Sequence, residues 1–324
     1  MIRMQVSQKS WPLKKPLRFA FAELTAIDVV TVELTFGSWR GHGEGIGVFF
    51  RDDTPLKGAR ELATLGGGFT SIDAAEAACS RLKSYAARNA LDCALWDLRC
   101  KETSKPICEL IGSPGGTVST FETISLDSPE MMAAAARIVA GTRLKLKVDA
   151  PRIIEQVRAV REVRVDTVLM ADANQDLDLK RLREVAPALA EFGLIMLEQP
   201  LPAGEDGCLA DFQSPIPLCA DESCFTAADV EGLVGLYESV NIKLDKTGGL
   251  TGALAVLAEA RRLGFGTLVG CMAGTSLSMA PALALAAQCD FADLDGPLLL
   301  ADDYENGARY LDGAVQPPST EFWG

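Results

Sequence analysis

Apolar positions change rhythm along the chain. Over residues 3–50 they alternate with polar ones, as in Val29-Val30-Thr31-Val32-Glu33-Leu34-Thr35, and the runs give way to glycine-rich stretches. Period-two alternation predicts half-buried strands. Residues 71–100 switch to helical spacing: Asp73 is placed to cap the start, and apolar residues recur with a helical period over 86–98. Strands followed by helices predict a small α+β domain spanning residues 1–114. The stretch Ile111-Gly112-Ser113-Pro114-Gly115-Gly116 reads as a linker.

Beyond it, short apolar runs alternate with amphipathic segments. Strands are predicted at 118–126, 144–148, 167–171, 194–197, 216–220, 240–244, 267–270 and 291–294, and helices at 129–140, 151–164, 179–192, 227–236, 250–263 and 276–288. Repeated β-then-α order predicts a parallel sheet. The pitch fits an α/β barrel of the (β/α)₈ type over residues 115–300. A doubly wound sheet would show a glycine-rich phosphate turn after its first strand, and none follows residue 126. The tail, 301–324, carries Pro317 and Pro318 and has room for one hairpin, packing back on the first domain.

Composition narrows the chemistry. The 324 residues include 31 Lys+Arg and 44 Asp+Glu, a formal net charge of −13. That balance repels phosphate backbones and anionic lipid, so neither nucleic acid nor a membrane surface is an expected partner. No apolar run approaches the roughly 18–20 residues that span a bilayer. The N-terminus lacks the apolar core of a secretory signal, so the expected location is the cytoplasm. The one histidine, His42, sits in Arg40-Gly41-His42-Gly43-Glu44-Gly45, which reads as a turn. A zinc site built on several histidines is excluded. The nine cysteines form no C-x-x-C pair and are odd in number, as expected of reduced thiols. Proton carriers, if any, are then lysines or carboxylates. A small-molecule substrate is the expected partner, and homo-oligomer formation is left open.

Polar residues punctuate the ends of successive predicted strands: Lys145 and Lys147, Asp172, Glu198, Asp221, then Lys243. From Lys147 the steps are 25, 26, 23 and 22 residues, one per βα unit. Equivalent positions on barrel strands converge on one mouth, where barrel active sites lie. Three carboxylates brought together there repel one another unless a cation relieves them. All-oxygen ligation suits Mg²⁺ better than zinc. Lys145 and Lys147, two apart on a strand, share a face, and two ammoniums on one face are expected to lower one pKa. Two lysines on opposite sides of a substrate carboxylate could then remove an α-proton from one face and return it on the other. An isolated K-x-K is more often a solvated edge, and a strand-end Asp more often a helix cap. Neither explains five such residues on consecutive strands at nearly equal steps.

These motifs resemble the enolase superfamily, its muconate-lactonising subgroup and, within that, the dipeptide epimerases. The similarity extends to Gly43-Glu44 and to the helix around Ala87-Arg88-Asn89-Ala90-Leu91-Asp92-Cys93-Ala94-Leu95-Trp96-Asp97-Leu98. The resemblance implies an α+β capping domain on a modified (β/α)₇β barrel. It implies Lys147 and Lys243 as the acid/base pair, Lys145 as an electrostatic helper, and Asp172, Glu198 and Asp221 as Mg²⁺ ligands. Asp293 and Asp295, in Phe291-Ala292-Asp293-Leu294-Asp295-Gly296-Pro297, resemble the epimerases' D-x-D motif that holds a dipeptide's α-ammonium. Thr123, Cys271 and Met272 are expected along the pocket, and Phe19 and Leu24 on a mobile segment, 19–26, over it. Where Ala-Glu epimerases carry an arginine, this region has Phe21 and Leu24; Arg18 is the arginine nearby, and Glu23 has the wrong sign. A hydrophobic or cationic second residue is therefore expected in the substrate. The alternatives are another reaction of the subgroup (cycloisomerase, o-succinylbenzoate synthase or N-acylamino-acid racemase) or a non-catalytic ligand-binding barrel.

Overall fold

The structure, a computed structural model, describes residues 1–20 and 22–324; Phe21 lies outside the described residues. Among the described residues the strands form three sheets. The first comprises β1 (Ile2–Phe19), β2 (Ala22–Phe36), β3 (Trp39–Gly45) and β4 (Gly68–Phe69), in spatial order β3-β2-β1-β4 with antiparallel neighbours. The segment 19–26, expected as a loop, is mostly the paired tip of the β1–β2 hairpin: Leu17 faces Leu24, Arg18 faces Glu23 and Phe19 faces Ala22.

Helices α1 (Pro55–Ala63), α2 (Ile72–Cys79) and α3 (Tyr85–Thr103) back this sheet. The helical stretch expected over 71–100 is two helices. Ser71, not Asp73, caps α2, its hydroxyl accepting from the Ala74 amide at 3.1 Å, and Asp73 lies in the first turn. The glycine-rich stretch around His42 is a strand rather than a turn. Gly41, Gly43 and Gly45 share the face that abuts α3, and a Cβ on Gly43 would stand 2.1 Å from the Ala90 carbonyl oxygen. Glycine is there for close backbone approach, not for turning the chain. His42 pairs instead with Glu33, Nε2 to Oε2 at 3.2 Å, and its backbone amide donates to Asp97.

The predicted strand 118–126 also divides. β5 (Val118–Ser119) pairs with β15 (Ala314–Gln316), which pairs with β14 (Arg309–Leu311), in a small sheet; β6 (Glu122–Ile124) begins the barrel. Between them Thr120 and Phe121 are fully buried. The barrel continues through β7 (Arg143–Lys147), β8 (Val168–Asp172), β9 (Leu194–Glu198), β10 (Leu218–Ala220), β11 (Ser239–Lys243), β12 (Gly266–Gly270) and β13 (Phe291–Asp293), each parallel to the last. Its ends meet where the Phe121 amide donates to the Ala292 carbonyl at 2.9 Å and the Leu294 amide to Thr120 Oγ1 at 2.8 Å. Phe121, Met170, Met196, Cys219 and Leu268 fill the interior with an apolar plug. The expected helix 227–236 is a single turn, Ala227–Val230, followed by a 3₁₀ turn. No described helix is long and apolar enough to cross a membrane.

Carboxylates join the first sheet and its helices to the barrel, two of them, Glu44 and Asp245, nearly fully buried. Glu44 accepts from the Thr275 amide at 3.1 Å and its hydroxyl at 2.8 Å; Asp245 accepts from the Ile46 and Gly47 amides at 2.8 and 3.0 Å and from Asn89 Nδ2 at 3.0 Å. Asp92 of α3 accepts from the Thr251 amide and hydroxyl. At the end of the chain, the Trp323 indole donates to the His42 carbonyl at 2.9 Å. Burial pushes Glu44 up to about 7 and Asp92 and Asp245 up to about 6. A carboxyl whose folded pKa is raised stabilises most below its unfolded pKa, and that contribution is lost as pH rises through the folded value. Glu44→Gln, which stays neutral and keeps an acceptor, should therefore gain stability over wild type at pH 8, on the order of 2 kcal/mol, and lose that advantage at pH 5. Denaturant melts at both pH values check this; an equal difference at both would contradict it.

Candidate active site

The strand register explains the convergence. Lys147 is level with Asp172, Asp172 with Glu198, and Glu198 with Cys219, two residues before Asp221. Farther round, Lys243 is level with Gly270 and Gly270 with Asp293, while Thr123 neighbours Lys145. Lys147, Asp172, Glu198, Lys243, Gly270 and Asp293 each end their strands, Asp221 follows directly on β10, and Thr123 and Lys145 lie within one or two residues of their strands' ends. β7 and β11 are four strands apart in an eight-stranded ring, so Lys147 and Lys243 project from opposite walls.

The charges interlock. Lys145, 2% exposed, sets its ammonium 2.7 Å from Glu198 Oε2, 2.8 Å from Asp293 Oδ2 and 3.0 Å from Asp172 Oδ2. Lys147 lies 2.6 Å from Asp172 Oδ2 and donates to Asn174 Oδ1 at 3.1 Å. Lys243 lies 2.5 Å from Asp221 Oδ2. The expectation that the K-x-K pair lowers a lysine pKa fails for Lys145. Burial works against its charge, but Asp293, Glu198 and Asp172 together outweigh it and hold its pKa well above the usual value. Lys243 is raised for the same reason by Asp221 and Glu198 against burial. The carboxylates opposite outweigh the neighbouring ammonium.

The acids divide. For Asp172 and Asp221 burial opposes ionisation, yet the adjacent lysines hold both below the usual carboxylate range. Glu198 is pushed up to about 7 by burial and by Asp172, Glu222 to about 8 by burial and by Asp221, and Asp295 to about 7 by burial and by Asp293. Asp295 Oδ2 accepts from the Thr123 amide at 2.6 Å.

A cavity opens over this cluster. Thr123, Lys145, Lys147, Asp221, Lys243, Cys271, Met272, Asp293 and Asp295 line it from the barrel, and Leu17, Phe19, Leu24, Phe49 and Phe50 from the first sheet and the loop after it. Asp172 and Glu198 lie beneath the lysines, fully buried. Every predicted pocket residue with described coordinates is thus at or directly under one cavity. Arg18 is turned away: exposed, it pairs with Glu23 and Asp127. Asn174, Glu222, Phe49, Phe50, Leu17 and Leu299 also line the cavity and were not anticipated. For Asn174 and Glu222 the signal was adjacency to Asp172 and Asp221. The aromatic pair Phe49-Phe50 carried none, because its role depends on how one domain sits on the other.

Among the described residues no three acidic side chains are arranged about a common point ready for a metal. The point where Asp172, Glu198 and Asp293 meet is filled by the Lys145 ammonium. The donor set nevertheless fits a hard divalent cation. It is all oxygen, it already surrounds a positive charge, and Glu198 Oε2 and Asp221 Oδ1 are buried with no partner beyond their ion pairs with Lys145 and Lys246.

Comparison with known proteins agrees with this architecture. Residues 1–112 match the mandelate racemase/muconate lactonizing enzyme N-terminal domain, and residues 130–321 match the enolase C-terminal domain-like family. The chain is 40% identical to the L-Ala-D/L-Glu epimerase of Escherichia coli (strain K12) over 322 residues, 96% of this chain and 98% of that one. It is 44% identical to the N-acetyl-D-glutamate racemase of a Pseudoalteromonas species over 244 residues, 75% of this chain and 78% of that one. The dipeptide epimerase of Methylococcus capsulatus, solved with Mg and L-Arg-D-Lys, superposes with a TM-score of 0.90 at 30% identity, covering 98% of both chains. The chain belongs to the mandelate racemase/muconate lactonizing enzyme family of the enolase superfamily.

Proposed function

We propose that the protein is a Mg²⁺-dependent dipeptide epimerase, an isomerase that inverts one α-carbon by moving a proton between two lysines. The observation that carries this reading is the placement of Lys147 and Lys243 on opposite walls of a cavity floored by carboxylates. Family membership and the epimerase relatives support it. In this reading residues 1–114 cap the site, 115–300 carry the chemistry, and 301–324 form a tail that packs back on the cap, as the Trp323 bond to the His42 carbonyl supports. The nine free cysteines support a reducing, cytoplasmic setting.

Asp172, Glu198 and Asp221 would hold the ion, which when bound stabilises negative charge on the substrate carboxylate as the α-proton leaves. Lys147 takes or gives the proton on one face and Lys243 does so on the other. Lys145, kept charged by its three carboxylates, adds fixed positive charge beside the developing anion. Asp293, with Oδ1 unpartnered, and Asp295 receive the substrate ammonium, a group that muconate and succinylbenzoate precursors lack. The first-sheet wall of Leu17, Phe19, Leu24, Phe49 and Phe50 excludes water and faces the distal side chain. No arginine lines the cavity among the described residues, and its three lysines are engaged by carboxylates. This favours a substrate whose second residue is apolar or basic over Ala-Glu.

Lys147→Ala and Lys243→Ala should each abolish epimerisation, with a loss of at least about 10³-fold. Each should retain α-proton exchange in heavy water from one stereoisomer only, and a different one in each variant. Normal turnover in both, or exchange lost from the same isomer, would contradict the two-lysine assignment. Asp293→Asn should raise the dipeptide KM about tenfold or more and leave metal affinity unchanged; an unchanged KM would remove the ammonium role. In a panel of Ala-containing dipeptides, kcat/KM for apolar or basic second residues should exceed that for Ala-Glu, and the reverse order would refute the specificity proposal.

A further inference from the structure

We infer that Asn241 and Lys246, which do not line the cavity, are positioning residues that brace Glu198 and Asp221 from the strand that carries Lys243. The inference rests on the metal-dependent reading above and adds the side chains that hold two of its three carboxylates in place.

Asn241 and Lys243 are two apart on β11 and share its inward face. Asn241 is fully buried, and its Nδ2 donates to Glu198 Oε1 at 2.8 Å. Immediately after the strand, Lys246 is likewise fully buried. Its ammonium donates to the Asn241 carbonyl at 2.8 Å and to the Asp221 carbonyl, and lies 2.6 Å from Asp221 Oδ1. A lysine loses much side-chain entropy and hydration on complete burial, so such a position calls for specific partners. The hydrogen-bonding partners of Lys246 are Asp221 and the backbone of Asn241, and the Phe225 ring lies 5.7 Å away.

Asp221 therefore stands between two ammoniums. Lys243 meets Oδ2 from within the cavity, and Lys246 meets Oδ1 from outside it. When Lys243 turns toward a substrate, Lys246 keeps the carboxylate oriented. The next strand makes room for the arrangement. A Cβ on Gly270 would lie 2.6 Å from Asn241 Oδ1 and 3.1 Å from Lys243 Cε, so a side chain there would push both residues off their positions. One segment, 241–246, thus sets a proposed proton carrier and two proposed ion ligands together. Side chains that orient ligating groups commonly govern metal affinity by about 10–100-fold.

The test is titration of Mg²⁺ and of Mn²⁺ into metal-stripped full-length protein by calorimetry, with thermal melts in parallel. Asn241→Ala and Lys246→Met should each raise the metal dissociation constant about 10–100-fold. In a Glu198→Ala background, which removes the acceptor, Asn241→Ala should cause no further loss, because its effect passes through Glu198. A lowered melting temperature with unchanged metal affinity, or an undiminished Asn241→Ala effect without the Glu198 carboxylate, would overturn the brace. If Lys246→Met does not fold, Asn241→Ala alone decides the matter. Wild-type protein that binds neither ion would overturn the metal reading itself, and the brace with it; wild-type binding with unaffected variants would overturn only the brace.

Discussion

Like charge crowded into a buried space is the constraint around which this molecule is arranged. Asp172, Glu198, Asp221, Glu222, Asp293 and Asp295 are all nearly or fully buried at one end of the barrel. Unopposed, they would be forced to take up protons or to unfold their surroundings. Lys145, Lys147, Lys243 and Lys246 oppose them at ion-pair distance. Burial opposes ionisation throughout, but the adjacent lysines keep Asp172 and Asp221 ionised; Glu222 and Asp295, with no lysine contact, are pushed up to about 8 and 7, and Glu198, paired with Lys145 and Lys243 but buried beside Asp172, is pushed up to about 7. The site is acidic enough to attract a cation and basic enough to move a proton.

The barrel supplies the precision. Parallel pairing puts consecutive strand ends level, so one polar residue per strand becomes a ring of polar residues. The apolar plug of Phe121, Met170, Met196, Cys219 and Leu268 fixes the floor. Above, the hairpin tip carrying Phe19 and Leu24 and the loop carrying Phe49 and Phe50 close the cavity with hydrocarbon. Glu44, Asp92 and Asp245 tie the two parts together, with Asp245 only two residues past Lys243. The loop that leads to Phe49 is therefore anchored to the turn that follows a proposed proton carrier.

Much of this was legible in the sequence because barrels repeat. Lys147, Asp172, Glu198, Asp221 and Lys243 recur at nearly constant steps, and the fold turns that recurrence into proximity. What escaped was set by packing rather than by period. Residues 118–126 carry one continuous apolar pattern, yet Thr120 and Phe121 mark a crossing between two sheets. Glycines at 41, 43 and 45 have the composition of a turn and the spacing of a strand; contact with α3 decides for the strand. Lys145 was judged by its neighbour in sequence, whereas its environment is made by three carboxylates from other strands. Asn241 and Lys246 gave no local sign, since their partners lie 43 and 25 residues away.

The account stands on two separate lysines acting from opposite walls. The most direct measurement is the isotopic content of the first-formed epimer when unlabelled dipeptide is turned over in heavy water with Mg²⁺. Two opposed proton carriers predict product that carries solvent deuterium at the inverted carbon from the earliest time points. Product that keeps the substrate's own α-hydrogen would contradict the account.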